Sequence, residues 1–482
     1  MSTIDPLPAF VVPTGLFFRQ YHLECLSLFS YLIGDTTTGR AVVVDPQRDI
    51  SGYLADAEAN GLRIERVIET HFHADFVSGH LEMARATGAM ISYGSEARTD
   101  FEIDPLSHGQ ILELGAVQLE IRHTPGHTPE AISIVLSVPQ AGDVKRDKPW
   151  AVLTGDTLFI GDVGRPDLLT SVGRSADSLA RDLFASLHEQ ILTLPDATLV
   201  LPAHGAGSAC GKRLENASSS TIGEQREFNY ALAPMSVTNF VDLVTEGQSV
   251  APLYFAFAAD ANRRDRPSLD EHSAPALLSL EDLLAYQSGG AVVLDTRSAD
   301  VFASGHLRGS VNVGLDGRFA EYAGDVLRPG QRVVLVAEED RAVEARVRLA
   351  RIGFDNVIGA FPDVAQAISN RPELKSIAQR LNAGDLVTSL VDDGSATQIV
   401  DVRNPSEANA TGTIPNAIHM PLPQLLDQLD RLDPSAPTVV YCAGGYRSSI
   451  AASTLRAHGF KRVADITGGF AAWQTATTLP AT

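Results

Sequence analysis

Three segments near the C-terminus recur after one fixed interval, and nothing else in the chain constrains its fold as strongly. AVVLDTR (291–297) returns as TQIVDVR (397–403), so Asp295 and Asp401 stand 106 residues apart. RVVLVAEEDRA (332–342) returns as TVVYCAGGYRS (438–448), and RIGFDNV (351–357) as AHGFKRV (457–463), both at the same interval. Three matches at one spacing mark a duplicated unit. Each copy reads strand, helix, strand, helix, the alternation that builds a parallel sheet flanked by helices. At 482 residues the prior is about three domains. The chain therefore reads as one large N-terminal domain followed by two smaller α/β domains.

The copies differ where chemistry is expected. In the second, Cys442-Ala443-Gly444-Gly445-Tyr446-Arg447-Ser448 lies between the apolar strand TVVY and the helix SIAASTLRAHGF. Gly444 and Gly445 let the loop curl so that backbone N–H groups converge on one point. A helix N-terminus and Arg447 add positive charge, which favours a thiolate or persulfide on Cys442. In the first copy the interval puts Val336 at the place of Cys442, and Glu338 and Glu339 at those of the glycines. Valine carries no sulfur and two carboxylates repel an anion, so this copy is expected to be inactive, with a structural or docking role.

In the N-terminal part, AVVVDPQ (41–47) and RVIETH (66–71) read as buried strands that end in polar residues. Helical stretches are expected over 213–234 and 236–262, then a linker in the charged, proline-bearing NRRDRPSLDEHSAP (262–275). Candidate metal ligands each follow an apolar run: His71, His73 and Asp75 in THFHADF, His127 in HTPGHTP, Asp156 in LTGDTLF and His204 in LPAHGAG. Strand ends in this order would project them into one edge.

THFHAD, TPGHTP, TGDTLF and PAHG resemble the metal-binding motifs of the metallo-β-lactamase superfamily, whose fold is an αβ/βα sandwich. GDTLFIGDVGRPDL (155–168) and STIGEQREFN (220–229) look most like its persulfide dioxygenases. The resemblance implies one Fe(II) per chain, held by His71, His127 and Asp156, with His73, Asp75 and His204 orienting ligands or water. It makes Arg165 a partner for a carboxylate of the thiol substrate, with a plain salt bridge as the other reading, and Arg226 a weaker candidate. Phe76 stands where hydrolases of the superfamily have a further His, so a mononuclear centre is favoured. Cys210 reads either as a small buried thiol or as an auxiliary persulfide carrier, and Cys25 as core.

The Cys442 loop, with DVRNPSE (401–407), IPNAIHMP (414–421) and GGFAAW (468–473), resembles a rhodanese; Asp401, Arg403 and Glu407 match its scaffold, while Thr413 replaces its usual His. The expected architecture is α/β multidomain: a sandwich over 1–262, a linker over 263–276, a rhodanese-like domain without its Cys over 277–376, and an active one over 377–482. That order resembles bacterial persulfide dioxygenase–sulfurtransferase fusions of sulfide detoxification. It implies oxidation of a small thiol persulfide by O₂ to sulfite and thiol, then transfer of sulfane sulfur through Cys442 to sulfite, giving thiosulfate. The rivals are a glyoxalase II-type thioester hydrolase fused to a sulfurtransferase, and a sulfur-relay protein with a structural metal. Glutathione, coenzyme A, bacillithiol and mycothiol all remain open as the thiol.

Composition excludes other classes. A formal charge of −21 repels phosphate backbones, so nucleic acid is not an expected partner. Three cysteines are too few for a disulfide framework and fit a reducing, cytoplasmic setting. MSTIDPLPAF has no basic stretch followed by an apolar core, so no secretory signal is expected. The run Leu26–Ile33 is too short to span a bilayer, so no membrane insertion is expected. A homo-oligomer, dimer or tetramer, is expected because symmetric assemblies are common.

Overall fold

The computed structural model describes residues 11–138, 148–168, 174–385 and 397–478, so the first ten residues lie outside the described residues. The chain forms two compact bodies. One comprises residues up to Gln248 together with Phe255–Leu269, the other Ser249–Tyr254 and the residues from Asp270 onward.

Two six-stranded sheets build the first body. In one, Leu16–Leu23, Leu28–Asp35 and Arg40–Val44 pair antiparallel; Arg63–Ile68, Met90–Gly94 and Asp104–Leu106 continue it in parallel. The other runs from Ile111–Leu114 through Val117–His123, Ile132–Ser137, Pro149–Gly155 and Leu199–Pro202 to Ser220–Thr221. Side-chain alternation sorts each strand between two cores. Tyr31, Ile33, Val42, Val44 and Ile68 face the second sheet, meeting Leu119, Ile121, Ile134, Leu153 and Leu201. Leu32, Val43 and Val67 point outward onto the helix Ser51–Ala59. Val135, Val152 and Val200 point outward on the other side, onto Ala176–Ser186 and Val237–Thr245. The order helix, sheet, sheet, helix is the expected αβ/βα sandwich, and each fully buried aliphatic side chain contributes about 1.5–3 kcal/mol to it.

Helix is scarcer than the sequence suggests after residue 213. Only Ile222–Phe228 is α-helical there, started by a capping box between Thr221 and Glu224. The preceding Asn and Ser residues favour local backbone bonds over helix, and Ser220–Thr221 instead joins the sheet edge beside Leu199. The stretch 236–262 is two helices, Val237–Thr245 and Phe255–Ala261, divided where Gly247 takes a φ of 68°. The expected linker is also corrected in part. Asn262 accepts from the Ser78 amide and donates to the carbonyls of His73 and Phe76. Arg266 pairs with Glu82 at 2.5 Å. Residues 263–269 thus belong to the first body, held by bonds that leave no periodic signature.

The second body repeats one parallel sheet. Val292–Asp295 lies between Val311–Asn312 and Val333–Val336, with Val357–Ala360 outside. In the second copy Gln398–Asp401 lies between Ile418–His419 and Thr438–Tyr441, with Val463–Ile466 beyond. The register differs by one residue: Asp295 stands opposite Val336, the counterpart of Cys442, whereas Asp401 stands opposite Tyr441, the counterpart of Leu335. No helix among the described residues is long and apolar enough to cross a membrane. Cys25 lies in a single helical turn between the first two strands and is only half-buried, not in the core.

Candidate metal centre and sulfur-transfer loop

Three buried side chains from different loops meet at one edge of the sandwich. His71 Nε2, His127 Nε2 and Asp156 Oδ2 converge, with Asp156 Oδ2 3.7 Å from the first and 3.4 Å from the second. All three atoms are buried and none has a hydrogen-bond partner. Buried polar atoms are rarely left this way, and here three lie together.

The other ends of the same side chains are all held. His127 Nδ1 donates to the Arg165 carbonyl at 2.8 Å, which fixes its bare lone pair on Nε2. The Thr70 hydroxyl gives its proton to Asp45 at 2.8 Å, so at 2.9 Å it accepts from His71 Nδ1. Burial, then the neighbouring His73, hold His71 well below the usual imidazole pKa, so it stays neutral. Burial alone would raise Asp156, but His204 beside it, and then His71, hold it ionised well below the carboxylate range. His204 bridges Asp156 Oδ1 and Asp75 Oδ2 at 2.7 Å each. Burial alone would lower its pKa, but the two carboxylates outweigh that and keep it an imidazolium. Two neutral imidazoles and one carboxylate, each oriented by a second contact, form a set that could hold one divalent cation. Gly164 makes the packing possible, because a Cβ there would fall 1.9 Å from the Asp156 carbonyl.

Some of the remaining expected residues surround this set and others do not. His73 lies beside the His71 ring, with Nε2 3.1 Å from Asp45 Oδ1 and 3.6 Å from Glu69 Oε2. Sequence reading missed Asp45, which clamps the Thr70 amide and hydroxyl from a left-handed conformation with φ 50°; its signal is a strand that ends in Asp-Pro. Phe76 is fully buried against the His73 ring. Cys210 is buried within 4.8 Å of Asp156 and His204 ligand atoms. Burial, then Asp75 and Asp156, push its thiol pKa well up, so it stays a thiol. Arg165 is buried and forks onto Asp167 while also donating to the Ala209 carbonyl. Arg226 is exposed and bonded to Asp196. Neither arginine lines the cleft that opens at His127. That cleft is formed by Phe72, Ala74, His127, Thr128, Leu168, Phe255 and Arg263, among others. Arg263, missed because it lay in the expected linker, is the cation that lines it.

In the second body Cys442 follows its strand and is almost fully buried. The Gly445 amide donates to Sγ at 3.1 Å, and the Ser448 hydroxyl lies 3.6 Å away. Gly445 has φ 103°, a conformation open to glycine, and it caps the helix Tyr446–Ala457. Gly444 leaves open space at the loop tip. Arg447, expected to add positive charge at the loop, forks onto Glu407 at 2.6 and 2.7 Å. At the matching place in the first copy, Val336 ends its strand, buried, and the carboxyl-bearing Glu338 and Glu339 are exposed.

A candidate cation site at the edge of an αβ/βα sandwich, followed by two like α/β units of which one keeps its Cys, points to a metallo-β-lactamase-type enzyme joined to sulfurtransferase-type modules. Comparison with known families agrees. The metallo-beta-lactamase superfamily model matches residues 24–204, and the rhodanese-like domain model matches 279–360 and 383–476. The persulfide dioxygenase ETHE1, mitochondrial, of Homo sapiens is 31% identical over 250 residues, covering 51% of this chain and 87% of the relative. The Bos taurus protein of the same name is 31% identical over 240 residues, covering 49% of this chain and 83% of its own. The crystal structure of a metallo-beta-lactamase from Staphylococcus aureus subsp. aureus COL superposes with a TM-score of 0.65 at 32% identity. It covers 73% of this chain and all of its own. The chain belongs to the metallo-β-lactamase superfamily, in the family of the persulfide dioxygenases, and carries rhodanese-like domains behind that fold.

Proposed function

We propose that the first body is a mononuclear Fe(II) persulfide dioxygenase and that the copy bearing Cys442 is the sulfurtransferase that uses its product. The convergence of His71 Nε2, His127 Nε2 and Asp156 Oδ2, all orphaned, carries this reading. Phe76 supports a single metal, since it has no ligand atom. When bound, Fe(II) supplies the redox chemistry that lets O₂ react with a persulfide. The overall change is RSSH + O₂ + H₂O → RSH + SO₃²⁻ + 2 H⁺.

The chain's own residues do the rest. Thr70 and the Arg165 carbonyl hold the two imidazoles in the tautomer that leaves Nε2 bare. His204, clamped between Asp75 and Asp156, fixes the carboxylate. The apolar walls of the cleft keep bulk water from the reacting sulfur. In the second body the Cys442 thiolate attacks the outer sulfur of a second persulfide and releases the thiol. The resulting Cys442 persulfide then gives that sulfur to sulfite, which leaves as thiosulfate and regenerates the thiolate. The Gly445 amide, already bonded to Sγ, is placed to stabilise both anions.

The rival reading, a thioester hydrolase, is favoured by one observation: ligand atoms of His73, Asp75 and His204 also lie within 4.8 Å of one another and could take a second ion. Oxygen uptake against a panel of thiol persulfides, with metal analysis, decides between them. One iron per chain and sulfite formed with O₂ consumption are expected. Two stoichiometric zinc ions in active protein, or thioester hydrolysis without O₂ uptake, would overturn the proposal. His127→Ala should lose both iron and O₂ uptake while the chain stays folded.

A further inference from the structure

The cleft that opens at His127 has one unsatisfied end. Its walls are apolar: Phe72, Ala74, Leu168, Phe255 and the small Ala256 and Ala259. Arg263 lines it with its guanidinium over the Phe72 ring, 4.5 Å from the centroid. No carboxylate pairs with this arginine among the described residues, and its buried Nε has no hydrogen-bond partner. The acid that shares the cleft, Asp260, bonds Arg264 instead at 2.8 Å. A second orphan faces the same space: Thr128 Oγ1, next to His127, is buried and also without a partner. An unpaired guanidinium and an unpaired hydroxyl in one apolar cleft each cost desolvation until a ligand supplies their partners.

We infer that Arg263 is the specificity-determining residue of this cleft and that it binds a carboxylate on the thiol that carries the persulfide. The inference rests on the dioxygenase reading above for the identity of the reacting end. The ligand would lie with its sulfur toward His127, its apolar stem along Phe72 and Phe255, and its carboxylate on Arg263. Thr128 would donate to a peptide or carboxylate oxygen between them. Arg263, the one cation among the described lining residues, suits one carboxylate, since its guanidinium is delocalised and planar. It does not suit a nucleotide thiol with several phosphates, which would also bring those charges against Asp260. An uncharged thiol would leave Arg263 unpaired, and sites built to pair a polar group reject analogues that lack it.

The test separates this inference from the reaction. Binding of S-methylglutathione, which cannot react, to the iron-loaded full chain is measured by calorimetry beside its diethyl ester. The parent should prefer the free acid by roughly tenfold or more. Arg263→Gln should abolish that preference, and Arg263→Lys should restore part of it. In turnover, Arg263→Gln should raise KM for glutathione persulfide by a similar factor with kcat within about twofold and iron content unchanged. KM for the uncharged 2-hydroxyethyl persulfide should not move, because only the charge is recognised. Equal binding of acid and ester by the parent would overturn the inference without any variant. So would a preference for coenzyme A persulfide with the same dependence on Arg263, or an equal KM rise for charged and uncharged persulfides. If the acid binds through Arg263 but no persulfide drives O₂ uptake, the dioxygenase reading fails and the carboxylate site stands.

Discussion

The two rhodanese-like copies hold the end of their first strand with the same ion pair, atom for atom. Arg297 forks onto Asp295 and Arg403 onto Asp401, in each case with Nε at 2.9 and 3.2 Å and one terminal nitrogen at 2.6 Å. The same strand order surrounds each pair, with the pairing to the next strand offset by one residue: Asp295 faces Val336, the counterpart of Cys442, and Asp401 faces Tyr441. What differs is the loop after the next strand: Cys442 with its glycines in one copy, Val336 with Glu338 and Glu339 in the other. The scaffold is therefore independent of the chemistry. A copy can lose its nucleophile and keep its fold because the buried pair and apolar strands, not the loop, hold the sheet. The copy without the cysteine also has a place in the body they share. The Tyr446 hydroxyl, at the start of the helix behind Cys442, donates to the Gly314 carbonyl of the first copy at 2.7 Å. Further along that helix, the Ser453 hydroxyl accepts from the Asn312 amide at 2.9 Å. The first copy thus braces the helix whose N-terminus carries the reactive loop.

The sharpest way to break the comparison is to remove the one sulfur that distinguishes the copies. Cys442→Ser keeps the loop shape but cannot form a persulfide. Thiosulfate formation should fall to the uncatalysed level while O₂ uptake with a thiol persulfide continues, so the product shifts to sulfite. Sulfite reacts slowly with persulfides without an enzyme, so products are read early against a no-enzyme control. If thiosulfate forms as fast as in the parent, Cys210 becomes the carrier to test. Adding Val336→Cys to this variant should not restore transfer, since Glu338 and Glu339 remain where Gly444 and Gly445 shape the active loop. Restored turnover would show that the scaffold alone suffices.

A second prediction compares the shared ion pair. Breaking a buried pair costs about 3–5 kcal/mol because it strands the remaining charge. Arg403 is 2% exposed and Arg297 18%, and the Tyr441 hydroxyl adds a bond to Asp401 at 2.8 Å that Leu335 cannot make in the first copy. Asp401→Asn should therefore lower the urea midpoint of the second body more than Asp295→Asn does. Equal losses would mean that solvent screening and Tyr441 do not matter there.

These contrasts also mark what the sequence could and could not announce. The repeat exposed both copies and the missing Cys, because matched strands preserve spacing. The candidate ligands were legible because His71, His127 and Asp156 each follow an apolar run, as His204 does, and the resemblance to the family singled out these three. Arg263 was not legible. It lies in a charged, aperiodic stretch whose order comes from Asn262 and Arg266 bonding to a loop almost 200 residues earlier in the sequence, and no local pattern encodes that. The resemblance offered Arg165 and, more weakly, Arg226 as carboxylate binders, with a plain salt bridge as the other reading for Arg165; in the fold Arg165 pairs with Asp167 and Arg226 with Asp196. Which arginine stays unpaired is a property of packing.

The smallest predicted effect concerns a position where the copies diverge outside the loop. His306 follows Gly305 in the first copy, whereas Thr413 follows Gly412 in the second. The His306 ring stacks on Phe302 with centroids 3.7 Å apart, and its Nδ1 donates to the Phe302 carbonyl at 2.8 Å. Burial, with Arg456 and Arg297 nearby, lowers its pKa to about 4. An unfolded histidine titrates near 6.5. Above pH 6.5 both states are neutral there and the residue gives no pH dependence. As pH falls from 6.5 to 4 the unfolded chain takes up the proton first, so stability is lost across that window, up to about 3 kcal/mol by its lower end. Below pH 4 the loss levels off. His306→Thr, the residue of the second copy, should lose some stability at pH 7.5 with the stacking contact. Its urea midpoint should then fall less steeply between pH 6.5 and 4 than that of the parent. An unchanged slope would assign the acid sensitivity of this body to another group, and the two copies would then be equally tolerant of acid.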